Sequence, residues 1–170
     1  MDIINPIEKY EPVVYVPNKL LITVERARSS TIAHIFDSFD NLFKANEDRD
    51  FLVLVVFVLF EMGKGEFSLW GPYFEAVDPG TLACYWPKEV LDMIDDQELT
   101  WALNEYKSSM EEQFDLIEKL FKIYPEHFPQ EVCGYEKFKH ASCFVATRCF
   151  GWGLPTTIVV PFADNVNHDS

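Results

Sequence analysis

Apolar positions recur along this 170-residue chain in two rhythms, and the switches between them outline its elements. Two short β-branched runs come first, Val13 to Val16 and Leu20 to Thr23, separated by Pro17-Asn18. They predict paired strands, or one strand with a sharp bend. After Thr23 the period lengthens. Ile32, Ile35, Phe36, Phe39 and Phe43 sit at helical spacing, with acids facing the other way. Phe51 to Met62 is apolar on every side. Its valines favour a strand, but its length and all-round apolarity favour a central helix, and a helix is the expectation. The stretch FSLWGPYFEAVDPGTLACYWPKE follows, where Pro72, Pro79, Gly80 and Pro87 permit only short helical turns. Pro87 before Lys88 to Leu91 reads as proline at a first helical position.

The longest helical pattern starts beyond Asp95 and Asp96, both capping candidates. Leu99, Leu103, Tyr106, Met110, Phe114, Ile117 and Phe121 form its apolar stripe, and Pro125 ends it. After PQEVCG a further helix is expected from Tyr135 to about Cys149, with Phe138, Ala141 and Val145 on its core face. Gly151 and Gly153 release the chain, and Thr157 to Val160 predicts a short buried strand running into Pro161. Two β-rich ends thus flank a helical middle. The fold class is mainly α with short β segments (α+β), in one domain.

Composition agrees with a packed core, at 48% hydrophobic and 15% aromatic residues. A net charge of −14 argues against nucleic acid as partner, because neutralising phosphates takes a basic surface. It is compatible with a lysine-rich polypeptide partner, although an acidic surface kept soluble by its charge is the more ordinary reading. The run FLVLVVFVLF falls well short of the ~20 apolar residues a membrane-crossing helix needs, and Glu47, Asp48, Arg49, Asp50 and Glu61 bracket it. It reads as a core element, and no membrane association is expected. Cys84, Cys133, Cys143 and Cys149 form no C-x-x-C pair, and MDIINPIEKYE lacks the apolar region of a secretory signal. The expectation is free thiols in an intracellular compartment, cytoplasmic or nuclear.

Most chemical candidates are weak. His34, His127, His140 and His168 are scattered, and no His or Cys pair has ligand spacing on one helix face, so no metal site is expected. Nothing marks one thiol as activated, and there is no Gly-rich phosphate loop. Arg148, in FVATRCFGW, is more informative. An arginine among apolar neighbours needs partners, which acids near the C-terminus could supply; a helix-terminal arginine facing the last carbonyls is the alternative. Asp164, Asn167 and His168 lie just past a strand, where ligand sites often form, although Asp and Asn also favour turns there.

Five stretches, YEPVVYVPNKLLITVERARSS, FSLWGPYFEAV, LACYWPKEVLD, FVATRCFGWGLPTTIVVPFADNVNH and, overlapping the end of the last, VVPFADNVNHDS, stand in an order that resembles that of the SET-domain protein methyltransferases, in the subclass whose SET domain carries a long helical insert, as in the Rubisco large-subunit methyltransferase. VVPFADNVNHDS resembles the family's Asn-His motif, and YEPVVYVPNKLLITVERARSS the segment after its first cofactor motif. FSLWGPYFEAV is similar to its S-F-W-x-P-Y turn, LACYWPKEVLD to its L-P-x-x-W-x-x-E-E-L stretch, and FVATRCFGWGLPTTIVVPFADNVNH to its arginine-bearing helix and following strand. The ordered set covers nearly the whole chain. The resemblance implies a single partial SET domain over residues 1–170: a β segment at 11–30, a helical insert at 31–150 that shapes the protein-substrate groove, and a strand with the Asn-His motif at 154–170. It implies S-adenosyl-L-methionine as cofactor and methyl transfer to a side-chain nitrogen of a protein substrate, usually lysine and in one branch histidine. The matching cofactor-binding positions are Glu11, Pro12, Val13, Arg148, Asp164, Asn167 and His168. By the same analogy Asn167 holds the methionine end of the cofactor, and the backbone of His168 meets the adenine.

Two departures bear on activity. MDIINPIEKY contains no glycine where the family has a Gly-x-Gly-type stretch, and the family's tyrosine-bearing motif has no counterpart after His168. The expectation is therefore a fragment that is inactive as this chain alone, with unpaired backbone edges at Thr157 to Pro161. Its expected affinity for the cofactor is weaker than ~1 mM, or under ~4 kcal/mol. The alternative is a non-catalytic helical protein-interaction module derived from a SET-domain protein.

Overall fold

The computed structural model describes residues 7–46, 48–79, 82–151 and 154–166. Along them run β1 (Ile22–Thr23), α1 (Val24–Arg28), α2 (Ala33–Ser38), α3 (Asp40–Ala45), α4 (Arg49–Gly63), α5 (Gly71–Ala76), α6 (Lys88–Leu91), α7 (Gln97–Ile123), α8 (Tyr135–Arg148), β2 (Cys149–Phe150) and β3 (Ile158–Val159). The class is mainly α with short β segments. The all-apolar run is the central helix α4, buried without interruption from Leu52 to Glu61. An all-round apolar helix is stable only with neighbours on every side. α8 packs most extensively on α4, and α1, α3 and α5 cover more of its surface. Phe138, Ala141, Cys143, Phe144 and Val145 of α8 are completely buried.

α7 is a 27-residue helix, about 40 Å long at 1.5 Å per residue. Asp96 is its N-cap, the carboxylate accepting from the Leu99 amide at 2.9 Å. Its buried residues, Met110, Ile117, Leu120 and Phe121, all lie from the middle of the helix onward, with Leu103 packed against the core at its edge. Leu99 is 55% exposed and Trp101 64%, so the helix outruns the globule and the first turns of the expected stripe lie on the surface. Around its other end Phe121, Phe128 and Phe60 form a ring-on-ring cluster, with centroids 4.9 and 6.0 Å apart.

The sheet has the order β1–β3–β2, antiparallel throughout, with Val159 opposite both Ile22 and Cys149. This overturns the expectation of open edges along Thr157 to Pro161: β3 is the central strand, paired on both sides. Three other expectations are corrected. Val13 to Val16 forms no strand; Pro17 opens a 3-10 turn at Asn18–Leu20, and the segment before it finds no partner strand. The helical pattern after Thr23 is three short helices. The Ser30 hydroxyl binds the Ala27 carbonyl at 2.7 Å and the Ser38 hydroxyl that of His34 at 2.8 Å, competing with the helix ladder at both breaks. Pro87 is the N-cap of α6, one residue ahead of its first turn. Among the described residues no helix is long and apolar enough to cross a membrane.

Candidate functional site

Arg148 closes α8, and the chain then enters β2; further on it leaves β3 through Pro161 and Phe162. Phe162 has φ of 71°, a left-handed conformation that a bulky residue adopts only under constraint. The reversal leads into a 3-10 turn, Ala163–Asn165, that carries Asp164 underneath. The Asp164 side chain is 1% exposed, that of Arg148 22%. Arg148 Nη1 donates to Asp164 Oδ2 at 2.9 Å and to Asn165 Oδ1 at 2.8 Å. The same Asp164 oxygen accepts from the Tyr73 hydroxyl at 2.6 Å. Asp164 Oδ1 is buried and has no hydrogen-bond partner among the described residues.

Tyr73 reaches this point from α5, and the turn before α5 aims it. Glu61, buried near the end of α4, accepts from Lys64 Nζ at 2.5 Å and from the Ser68 hydroxyl at 2.7 Å. Ser68 Oγ in turn accepts from the Trp70 amide, while the Trp70 indole N–H donates to the Leu20 carbonyl at 2.8 Å. Gly71 is required here, because a Cβ would come within 2.7 Å of the Gly65 carbonyl oxygen; Gly65 itself has φ of 54°. The turn thus ties the entry to β1, the end of α4 and the start of α5 into one frame. The Tyr73 ring then packs edge-on against Phe144 of α8 at 5.4 Å. Burial, the hydrogen bond to Asp164 and the Asp164 charge push the Tyr73 hydroxyl well above its ordinary value, against a smaller opposing effect of Arg148. Tyr73 is therefore a neutral donor at any physiological pH.

Of the sequence-predicted site residues, Arg148 and Asp164 are brought into contact. Glu11, Pro12 and Val13 lie on an exposed arm with only local hydrogen bonds, Glu11 N to the Glu8 carbonyl at 3.1 Å and Glu8 N to the Glu11 carboxylate at 3.0 Å. No hydrogen bond or ion pair links them to Arg148 or Asp164 among the described residues. Asn167 and His168 lie outside the described residues. Two members of the cluster, Tyr73 and Asn165, were not singled out from sequence. Asn165 adjoins Asp164 in ADNVNH, and Tyr73 stands in the WGPYF turn, but its partner is 91 residues away and no local period announces it. Among the described residues no group of three or more His, Cys, Asp or Glu side chains is arranged to hold a metal ion.

The cluster can hold a ligand through Arg148. Its Nη1 spends both hydrogens on Asp164 and Asn165, while Nε and Nη2 are not engaged among the described residues. A guanidinium held at one nitrogen, with its other edge unengaged among the described residues, suits a carboxylate. Asp164 is too enclosed for such contact and orients Arg148 and Tyr73 instead.

No protein-family model and no curated protein matches the chain. Solved structures do match. Rubisco LSMT bound to AdoMet is 24% identical with a TM-score of 0.75. The SET domain of LSMT bound to lysine and AdoHcy, and Rubisco LSMT bound to sinefungin and monomethyllysine, are each 24% identical with a TM-score of 0.76. Each match covers 91% of this chain and 34% of the other, so the chain spans about a third of the length of these proteins. The likeness establishes a SET-like fold.

Proposed function

We propose that this chain supplies the donor-side wall of an S-adenosyl-L-methionine-dependent protein N-methyltransferase of the SET class, acting on a lysine of a protein substrate. The observation that carries this reading is the brace of Tyr73, Asp164, Arg148 and Asn165, set at the end of β3 directly before Asn167-His168 in a SET-like fold. Residues 11–30 and 154–170 are then the SET β elements and 31–150 the helical insert. Arg148 takes the cofactor carboxylate with its free edge, Asn167 and His168 hold the methionine end and the adenine, and the arm at Glu11, Pro12 and Val13 closes over them.

When bound, S-adenosyl-L-methionine supplies a methyl group on a sulfonium, which an amine displaces in line. The protein's part is to align donor and amine and to hold oxygen dipoles around the moving methyl. The lysine must be neutral to attack, which a desolvated channel favours. An acidic chain of net charge −14 suits a basic protein substrate met inside the cell.

The test is amide NMR of the chain titrated with S-adenosyl-L-methionine to a few millimolar, enough to populate a complex with a dissociation constant near ~1 mM. Shifts should concentrate at Arg148, Asp164 to His168 and Glu11 to Val13. Absence of shifts there, or shifts confined to another face, overturns the reading. A second reading, a non-catalytic interaction module, is favoured by one observation: the α6–α7 end exposes Met93, Leu99 and Trp101 together with Val90. It predicts no response to the cofactor at any concentration.

A further inference from the structure

Two of the four cysteines meet in the core. Cys84, in the 3-10 turn Ala83–Tyr85, and Cys143, in the middle of α8, are buried with their sulfurs 3.4 Å apart. No such sulfur–sulfur approach involves Cys133 or Cys149 among the described residues. A disulfide bond is about 2.05 Å, so the sulfurs must close by about 1.3 Å. The two sides differ in their freedom to do so. Cys143 lies in the middle of α8, where Phe138, Phe144 and Val145 are, like it, completely buried. Cys84 sits on the three-residue 3-10 turn Ala83–Tyr85, in a connection that carries Pro79 on one side and Pro87 on the other.

We propose that Cys84 and Cys143 are a redox pair whose two-electron oxidation to a disulfide clamps the Ala83–Tyr85 turn onto α8. With hydrogen peroxide as oxidant, the Cys84 sulfur attacks one peroxide oxygen, giving a sulfenic acid and releasing water. The Cys143 sulfur then displaces the sulfenic oxygen as a second water. Two thiols and one peroxide thus become one disulfide and two waters. Cys84 keeps 6% of its surface exposed and Cys143 none, so Cys84 is the sulfur that peroxide reaches first. The clamp falls five residues before Arg148 on the same helix. It therefore acts on the element that carries the site, although the inference does not depend on what the site binds.

The folded chain is treated with hydrogen peroxide, quenched, denatured, alkylated with N-ethylmaleimide and weighed intact. The expected result is two adducts instead of four, a peptide map joining Cys84 to Cys143, recovery of four adducts after dithiothreitol, and a melting temperature raised by roughly 5–10 °C. Cys84→Ser should abolish all of these. If that variant fails to fold, Cys133→Ser/Cys149→Ser retains the pair and should still lose both remaining thiols. Four adducts from the oxidised folded chain, pairing through Cys133 or Cys149, cross-linking between chains, or oxygen added to Cys84 with no cross-link would each overturn the proposal.

Discussion

Two buried carboxylates, one on each side of Tyr73, are satisfied in opposite ways. Glu61 divides its partners: one oxygen meets the Lys64 ammonium, the other the Ser68 hydroxyl. Asp164 concentrates them, with Arg148 and Tyr73 on one oxygen and, among the described residues, no partner for the other. An acid satisfied at both oxygens acts as a staple, and Glu61 holds the turn that aims Tyr73. An acid with a bare buried oxygen is unfinished, since burying an unmet acceptor costs about 1–3 kcal/mol. Such a deficit persists only where the surrounding structure enforces it, and here it lies two residues after the left-handed Phe162. The comparison separates scaffold from site: the more complete of the two carboxylates is the structural one.

Substitutions can break that contrast, and the largest effect is expected at Arg148. Arg148→Met leaves the Asp164 charge enclosed with only Tyr73 as donor, and urea unfolding should show a loss of about 3–5 kcal/mol. Asp164→Asn should cost less, because the released guanidinium already reaches water. Next comes Tyr73→Phe, which removes a hydrogen bond to a charged group and should cost about 1.5–3 kcal/mol in the same assay. Glu61→Gln should cost about 1 kcal/mol, since the amide still offers Ser68 an acceptor while the pairing with Lys64 is lost. A Glu61 penalty exceeding that of Arg148 would invert the division between staple and site.

The smallest effect is in pH. The Tyr73 hydroxyl is raised by burial and Asp164, so the folded state keeps its proton where the unfolded chain begins to lose it. Its stabilising contribution is complete below pH ~10 and declines as pH rises from there toward the folded value. The stability gap between wild type and Tyr73→Phe should therefore narrow in titrations taken above pH ~10.

Much of the scaffold was legible in the sequence, because its signals are local. The apolar run of α4, the Asp96 cap and Pro125 stop of α7, and the Phe138, Ala141 and Val145 face of α8 each follow from a few neighbouring residues. Arg148 with a C-terminal acid was also within reach, at a separation of sixteen residues. What was not legible is set by distant partners. Val13 to Val16 has strand composition but no strand beside it, whereas Ile158-Val159 has two. Tyr73 reads as one more aromatic until the turn built on Glu61 and Gly71 points it at Asp164. The breaks between the first three helices depend on serine hydroxyls competing for carbonyls, a contest that hydrophobic period does not register.

The central position of β3 also sets an order of events in time. β1 and β3 pair across almost the whole length of the chain, so their meeting carries a large loop-closure penalty until something else has drawn the ends together. The α4–α8 contact does that, since α8 delivers β2 directly and brings β3 with it. Val159→Ala should therefore accelerate unfolding and leave the refolding rate nearly unchanged, while Phe144→Ala should slow refolding. During synthesis the helical body can assemble before the strand that bears the site is fitted onto β1 and β2.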